Sequence, residues 1–267
     1  MNDICCIGHI TRDKIITPHH EAFISGGTAF YFSYAIARLP RKVSYQLVTK
    51  LGRFDVEEVK RMRAERIDVL AFTCDNSVFF ENRYEGDQNK RTQRVLSKCE
   101  PFKISEMNGI EAKVFHLGSL LNDDFSADFI RELSTRGRIS IDAQGFLREV
   151  RGQKVVPVDW EEKHKILKHT HTLKLNEHEM EVITGLTDPR SVARQIASWG
   201  VKEVVITLGS HGSVIYADKT FYEIPAYPPR KLVDATGCGD TYSAGYLYCR
   251  AQGLGYAEAG KFSAAMC

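Results

Sequence analysis

Residues 232–246 read LVDATGCGDTYSAGY. Gly237, Cys238 and Gly239 carry little or no side chain, so their amides can converge on an anion without obstruction. From Thr241 onward the pattern is helical, with Ala244, Tyr248 and Ala251 on one face and Gly253 as a stop. Bare amides at a helix N-terminus, where the dipole is positive, make an anion site that a phosphate fits. Asp240 at the same terminus would repel a resting phosphate unless it faced a hydroxyl. A carboxylate so placed can accept the proton of an attacking alcohol while the amides stabilise charge on a transferring phosphoryl group. An ordinary tight turn with Asp240 as a helix cap spells the same letters, so the rest of the chain has to decide.

Working outward, short apolar runs read as buried strands at residues 4–7, 45–48, 114–117, 139–141, 172–175 and 204–208. Helical patterns lie between many of them, and strands alternating with helices predict an α/β fold whose parallel sheet is covered on both faces. Asp55 and Glu58 have capping-box spacing ahead of VKRMRAERI (59–67), and Val192, Ile196 and Trp199 form one apolar stripe that halts at Gly200. The helix that follows Asn176 stops near Gly185. Residues 72–96 break the alternation. They are β-prone with a polar turn at 85–89, which predicts a hairpin, either a lid or an edge extension of the main sheet.

At 267 residues and 43% hydrophobic, the chain can bury a substantial core as one large domain. Lys plus Arg number 36 against 34 Asp plus Glu, so the net +2 offers no broad cationic surface for nucleic acid or anionic lipid, and a small-molecule partner is expected. The seven cysteines contain no C-x-x-C pair and several fall in apolar runs, which predicts reduced thiols rather than a disulfide framework or zinc site. His164, His169 and His171 share no facing period, which argues against a transition-metal site. No stretch has the length of a membrane span and the N-terminus has no basic leader, so a cytoplasmic protein is expected. The first strand is followed by ICCIGHITRD with one glycine, without the G-x-G-x-x-G of a nicotinamide-binding turn.

DATGCGDTYSAGY resembles the C-terminal signature of the ribokinase-like, or PfkB, family of carbohydrate kinases, D-T-x-G-A-G-D before a small-residue helix. Ala235 stands for its threonine and Cys238 for its alanine, both small replacements. Other regions match in order, and the nearest branch is that of inositol and cytidine kinases. The resemblance implies a single domain over residues 1–267, a three-layer α/β/α sandwich with a mostly parallel central sheet and a small β lid from about residues 9–25 and 72–96. It implies an ATP-dependent kinase acting on a hydroxyl of a sugar, polyol or nucleoside. Asp240 would be the base, and Gly237, Cys238 and Gly239 the anion hole. A sensor that kept the fold without catalysis is the alternative, although a sensor needs no base.

The same resemblance distributes the remaining roles. In IGHITRDKI (7–15) Asp13 would bond two substrate hydroxyls, and in SGGTAFYFSYAIARLP (25–40) Gly26 and Gly27 would admit the substrate to the backbone. Ribokinase itself follows that glycine pair with lysine and later asparagine, where this chain has Thr28 and Tyr31, which argues against ribose. In KLNEHEMEVITG (174–185) Asn176 and Glu179 would organise Mg2+ through its waters, with Asn176 also at the nucleotide. In VVITLGSHGSVIY (204–216) Thr207, Gly209 and Gly212 would lie along ATP. FHLGSLLNDDF (115–125) and IDAQGFLR (141–148) match the inositol/cytidine branch and make Gln144 and Arg148 substrate or lid residues. Asn82 and Arg83 in the hairpin are weaker substrate candidates. Relatives usually continue past the helix ending FSAAMC (262–267), in a tail beside the adenine and K+ sites, so the expectation is either a C-terminal truncation or an incomplete adenine pocket, with K+ dependence open. A homodimer through the lid follows by analogy.

Overall fold

The computed structural model describes residues 1–84, 91–230 and 235–267. The polar turn expected at 85–89 and residues Leu232, Val233 and Asp234 of the C-terminal signature lie outside that range. In chain order the strands are β1 (Asn2–Ile7), β2 (Thr11–Ile16), β3 (Glu21–Gly26), β4 (Tyr45–Gly52), β5 (Asp68–Cys74), β6 (Val78–Tyr84), β7 (Arg91–Ser97) and β8 (Ala112–Leu117). There follow β9 (Arg138–Asp142), β10 (Arg148–Arg151), β11 (Lys154–Pro157), β12 (Thr170–Asn176), β13 (Glu203–Thr207), β14 (Ser213–Ala217) and β15 (Thr220–Ile224). The helices are α1 (Thr28–Ala37), α2 (Val56–Ala64), α3 (Ala127–Leu133), α4 (Lys163–Leu167), α5 (Glu177–Thr184), α6 (Pro189–Ser198), α7 (Cys238–Ala251) and α8 (Tyr256–Met266).

Among the described residues nine strands form the main sheet, in the order β15-β14-β13-β12-β9-β8-β1-β4-β5. The pairings from β13 to β5 are parallel, and β14 and β15 turn back antiparallel at one edge. Side chains alternate across a strand, so a strand buried on both faces has to be apolar at every position. β1 does this: Ile4 and Cys6 enter one core while Cys5 and Ile7 enter the other. The first of these cores lies under α1, α2, α7 and α8, the second under α3 to α6. The architecture is the expected three-layer α/β/α sandwich.

Helix boundaries follow their caps. α5 opens on Asn176, whose side chain accepts from the amides of His178 and Glu179, and closes at left-handed Gly185. α6 opens on Asp188 with Pro189 behind it, and buries Val192 and Ile196. The capping box expected at Asp55 does not form. Asp55 belongs to a 3-10 turn (Arg53–Asp55) and lacks the extended backbone of a cap, and its carboxylate accepts from Ser77 Oγ at 2.6 Å instead. Glu58 accepts from Ser25, Tyr34 and Arg61. α7 begins at Cys238, three residues ahead of the sequence expectation, which brings Asp240 into its first turn.

A second sheet, β10-β11-β7-β6-β2-β3, makes the lid. It differs from the expected lid in two ways. Residues 72–74 finish β5 in the main sheet, and β10 and β11, between Gln144 and α4, extend the lid beyond β7. Val78, Phe80 and Val95 on its inner face bury against Leu120 and Leu121, beyond the end of β8. Cys74 and Cys99 are joined by a disulfide with Cα atoms 6.1 Å apart, which corrects the expectation of wholly reduced cysteines. The two belong to the same buried cluster, at the end of β5 and just past β7, a proximity that no local spacing reveals. Among the described residues no helix is long and apolar enough to cross a membrane.

Candidate active site

The carboxyl ends of the parallel strands deliver Gly8 and His9 from β1, Asp142 from β9, Asn176 from β12 and Thr207 from β13 to one end of the sheet. Open α/β sheets bind ligands there. Two helices start beside it, α1 after Gly27 and α7 after Gly237, and they pack on each other. Gly237 adopts φ 79°, and a β-carbon on it would lie 2.6 Å from the Tyr31 ring. Gly27 adopts φ 94°, and a β-carbon there would lie 2.7 Å from the His9 carbonyl oxygen. Only glycine meets both demands, the left-handed backbone and the close approach. The Cys238 amide, expected in the anion hole, instead donates to the Ala235 carbonyl at 3.2 Å, and Thr28, the first residue of α1, hydrogen-bonds the half-buried Asp240 carboxylate.

Beneath the glycine loop lies a cluster of charges. Lys174 Nζ is 2.9 Å from Asp142 Oδ2, both side chains being almost fully buried. A β-carbon on Gly239 would stand 2.7 Å from that same Nζ, so the ammonium rests directly under the loop. Burial works against the Lys174 charge, yet the carboxylates of Asp142, Glu179 and Asp240 together raise its pKa. Burial also opposes ionisation of Asp142, and Lys174 more than offsets it, holding that carboxyl below its ordinary range. Asp240 is the contrasting case: burial, then repulsion from Asp142, push it up to about 7 against Lys174, the Thr28 hydrogen bond and Arg148. A carboxyl group poised near neutral pH suits proton abstraction.

Asn176 and Glu179 form a closed cap. Glu179 Oε2 accepts from the Asn176 amide and Oε1 from Asn176 Nδ2, each at 2.9 Å. Burial and the neighbouring Asp142 raise the Glu179 carboxyl. Among the described residues the one trio of His, Cys, Asp or Glu whose ligand atoms lie within 4.8 Å of one another is Cys74, Cys99 and Glu100, so no three carboxylates of the cleft converge on one point. Hard carboxylate and amide oxygens of this kind fit Mg2+ that keeps much of its own water shell, since that ion dehydrates reluctantly and takes few protein ligands.

The remaining sequence candidates divide. Asp13 accepts from Thr11 Oγ1 at 2.7 Å and fills the space beside Gly26, where a β-carbon would meet its Oδ2 at 2.7 Å. Asn82 shares the inner lid face with Asp13, whereas Arg83, next along the strand, is exposed on the opposite face. Arg148 opens β10 and its charge lowers both Asp240 and Glu179, so it bridges lid and cleft. Gln144 donates its amide to Asp142 Oδ1 at 3.1 Å in the turn after β9. Thr207, Gly209 and Gly212 form the tight turn between β13 and β14, with Leu208 donating to the Gly212 carbonyl at 2.8 Å.

Sequence reasoning named neither Lys174 nor Asp142 as a site residue, and it met Thr28 and Tyr31 only as departures from ribokinase. One signal was available. A lysine inside an apolar strand run has to find a buried anion.

Residues 1–267 match the family described as pfkB family carbohydrate kinase. The cytidine kinase of Thermococcus kodakarensis is 28% identical over 257 residues, covering 92% of this chain and 88% of that protein. A solved pyrophosphate-dependent kinase of the ribokinase family, complexed with a pyrophosphate analog and myo-inositol, is 31% identical with a TM-score of 0.89, covering 98% of this chain and 92% of that one. A pyrophosphate-dependent myo-inositol-1 kinase converted by two substitutions into a myo-inositol-3 kinase aligns with a TM-score of 0.88 and 30% identity, covering 98% and 90%. The glycine loop ahead of Asp240, the cleft at the strand ends and these likenesses agree: the chain belongs to the pfkB family of carbohydrate kinases, phosphotransferases that act on alcohol hydroxyls.

Proposed function

We propose that the chain transfers the γ-phosphoryl group of ATP to one hydroxyl of a cyclitol, sugar or nucleoside, with Asp240 as the general base. The observation that carries this reading is the position of Asp240. It lies in the first turn of α7, above the buried Lys174 ammonium, and its carboxyl is raised to about 7. The substrate alcohol is held between Asp13 and the Gly26–Gly27 backbone. Asp240 takes its proton as the oxygen attacks, and the α7 amides with Lys174 beneath them stabilise the transferring phosphoryl oxygens. Asn176 and Glu179 would hold Mg2+ through water, and the ion, when bound, supplies charge neutralisation at the phosphates. Thr207, Gly209 and Gly212 line the donor side.

A second donor reading rests on a specific likeness. The structural relatives at 30–31% identity over nearly the whole chain are pyrophosphate-dependent. Pyrophosphate needs the anion hole and its cations but no adenine pocket, and Lys174 and Arg148 supply cations at that point. The test is a panel of myo-inositol, hexoses, pentoses and nucleosides with Mg-ATP and Mg-pyrophosphate in parallel, with and without K+. Turnover of at least one alcohol with one donor is the expected result. Binding of an alcohol without turnover by either donor would overturn the reading in favour of the sensor. A homodimer through the lid belongs to the same proposal: edge strand β3 exposes Phe23 and Ile24, and sedimentation with Phe23→Ser as control checks it.

A further inference from the structure

The end of the main sheet remote from the cleft carries a concentration of positive charge that the proposed reaction does not use. A basin of about 490 Å³ opens there, between the starts of β8, β9, β12 and β13 and the turns that follow α3, α4 and α6. Lys113, Arg136, Arg138, Lys168 and Lys202 line it, with His169 and His171 among them, and no Asp or Glu does. Lys113 pairs with Asp3 and Arg136 with Glu132. Among the described residues the exposed side chains of Arg138, Lys168 and Lys202 make no hydrogen bond or ion pair. Glu203, next to His171, is occupied by Arg250 and Tyr246. These three uncompensated cations exceed the net +2 of the whole chain, so a near-neutral composition conceals a strongly cationic hollow.

Helix C-termini attract cations, and α3, α4 and α6 all end beside the basin. That attraction does not account for these side chains. The final carbonyls already have local donors: Ser134 Oγ donates to Arg131, Thr135 Oγ1 to Glu132, the His169 amide to Ile166 and the Gly200 amide to Ala197. Arg138, Lys168 and Lys202 take no part in that capping. The two imidazoles register the crowding of like charge. Burial, then Lys168 and Arg131, hold His169 below its ordinary pKa. Burial first, then Arg138, Arg250 and Lys202, do the same at His171 against the pull of Glu203. Nδ1 of His169 meets Ser134 Oγ at 3.4 Å and Nδ1 of His171 meets Thr172 Oγ1 at 3.2 Å, which leaves Nε2 of each ring without a hydrogen bond among the described residues.

We infer that this basin binds a small molecule bearing two or more phosphate groups, at a site separate from the cleft. A concave floor of one sign selects multiply charged anions, and guanidinium and ammonium groups together suit phosphate oxygens. The volume falls in the ordinary range of small-molecule pockets, about 300–1,000 Å³. The separation is built into the strands. Arg138 opens β9 and Asp142 ends it, and His171 is second in β12 and Asn176 last, so the basin and the cleft lie roughly 13–17 Å apart along the sheet. The inference does not rest on the kinase reading, because no residue of the basin belongs to the cleft.

The experiment titrates the full chain, at physiological salt and without magnesium, with inorganic pyrophosphate, ADP and fructose 1,6-bisphosphate. The imidazole 1H–15N resonances of His169 and His171, assigned through His169→Gln and His171→Gln, report the basin and not the cleft. Expected is saturable movement of both resonances with at least one probe, their pKa values rising as the anion offsets the surrounding cations. The three arms tell an inorganic, a nucleotide and a sugar source apart. Arg138→Gln/Lys168→Gln/Lys202→Gln should weaken that binding about 10- to 100-fold. Its melting temperature should not fall, since no native partner is lost. Resonances that stay still with all three probes, or move equally in the triple variant, would overturn the inference. So would orthophosphate binding as tightly as the best probe, which would make the basin a single-anion site, or a short RNA duplex binding more tightly than any of them.

Discussion

Asp240 combines two properties that single residues rarely share, a place in the first turn of a helix and a carboxyl held near neutral pH. The kinetic sign follows directly. Only the ionised form can accept a proton, so kcat/KM should rise about tenfold per pH unit below about 7 and level off above it. The stability sign is opposite. Raised above its unfolded value, this carboxyl contributes stability that is complete below about pH 4 and is lost as pH climbs through about 7. Asp240→Asn carries no such group, so its melting temperature should exceed that of the wild type above pH 7, the gap shrinking towards pH 4 in a calorimetric series. Lys174→Met removes the cation that Asp142, Glu179 and Asp240 share. It should cost about 3–5 kcal/mol in urea unfolding, as breaking a buried pair does, and move the acid limb of the rate profile upward. A stability loss without that movement would detach Lys174 from the base. Asp240 was legible in the sequence because a motif surrounds it. The Lys174–Asp142 bond joins residues 32 apart, and no local pattern encodes it.

At the scale of elements, the glycine loop and the lid root carry separate predictions. Gly237→Ala places a side chain in the left-handed region and against Tyr31, so it should destabilise the fold by roughly 1–2 kcal/mol from backbone strain. Its activity loss should exceed what that unfolding explains, because the α7 amides move with the loop. Tyr31→Ala in the same chain should restore part of the activity by relieving the contact. The Cys74–Cys99 disulfide closes a 25-residue separation around the lid hairpin, and by the chain-entropy argument Cys74→Ser/Cys99→Ser should lower stability by about 3 kcal/mol. A reductant should reproduce that shift in the wild type and leave the double serine variant unaffected. The buried strands were readable from their unbroken apolar runs, and α5 and α6 from their caps. The box expected at Asp55 failed since Ser77, brought in from the lid root, competes for the carboxylate. β10 and β11 escaped notice because REVR and KVVP are four residues each, too short for an alternation to show.

For the whole molecule, the cleft is the seam between two sheets. The nine-stranded sheet carries Asp142, Lys174 and Asn176, and the six-stranded lid carries Asp13 and, at the start of β10, Arg148. The sandwich was legible since alternating strand and helix patterns leave few topologies. The reach of the lid was less so, because strand partners distant in sequence leave no local trace. On the proposed reading, this seam delivers a substrate hydroxyl to Asp240 at the start of α7. The direct measurement is the pH–rate profile of alcohol phosphorylation for wild type and Asp240→Asn, with the substrate pair that the panel identifies. The wild-type rate should climb to a plateau above about pH 7. The asparagine variant should be slower by about 10²- to 10⁴-fold on the plateau, with donor affinity retained. An asparagine variant of wild-type turnover, with the same acid limb, would contradict that reading.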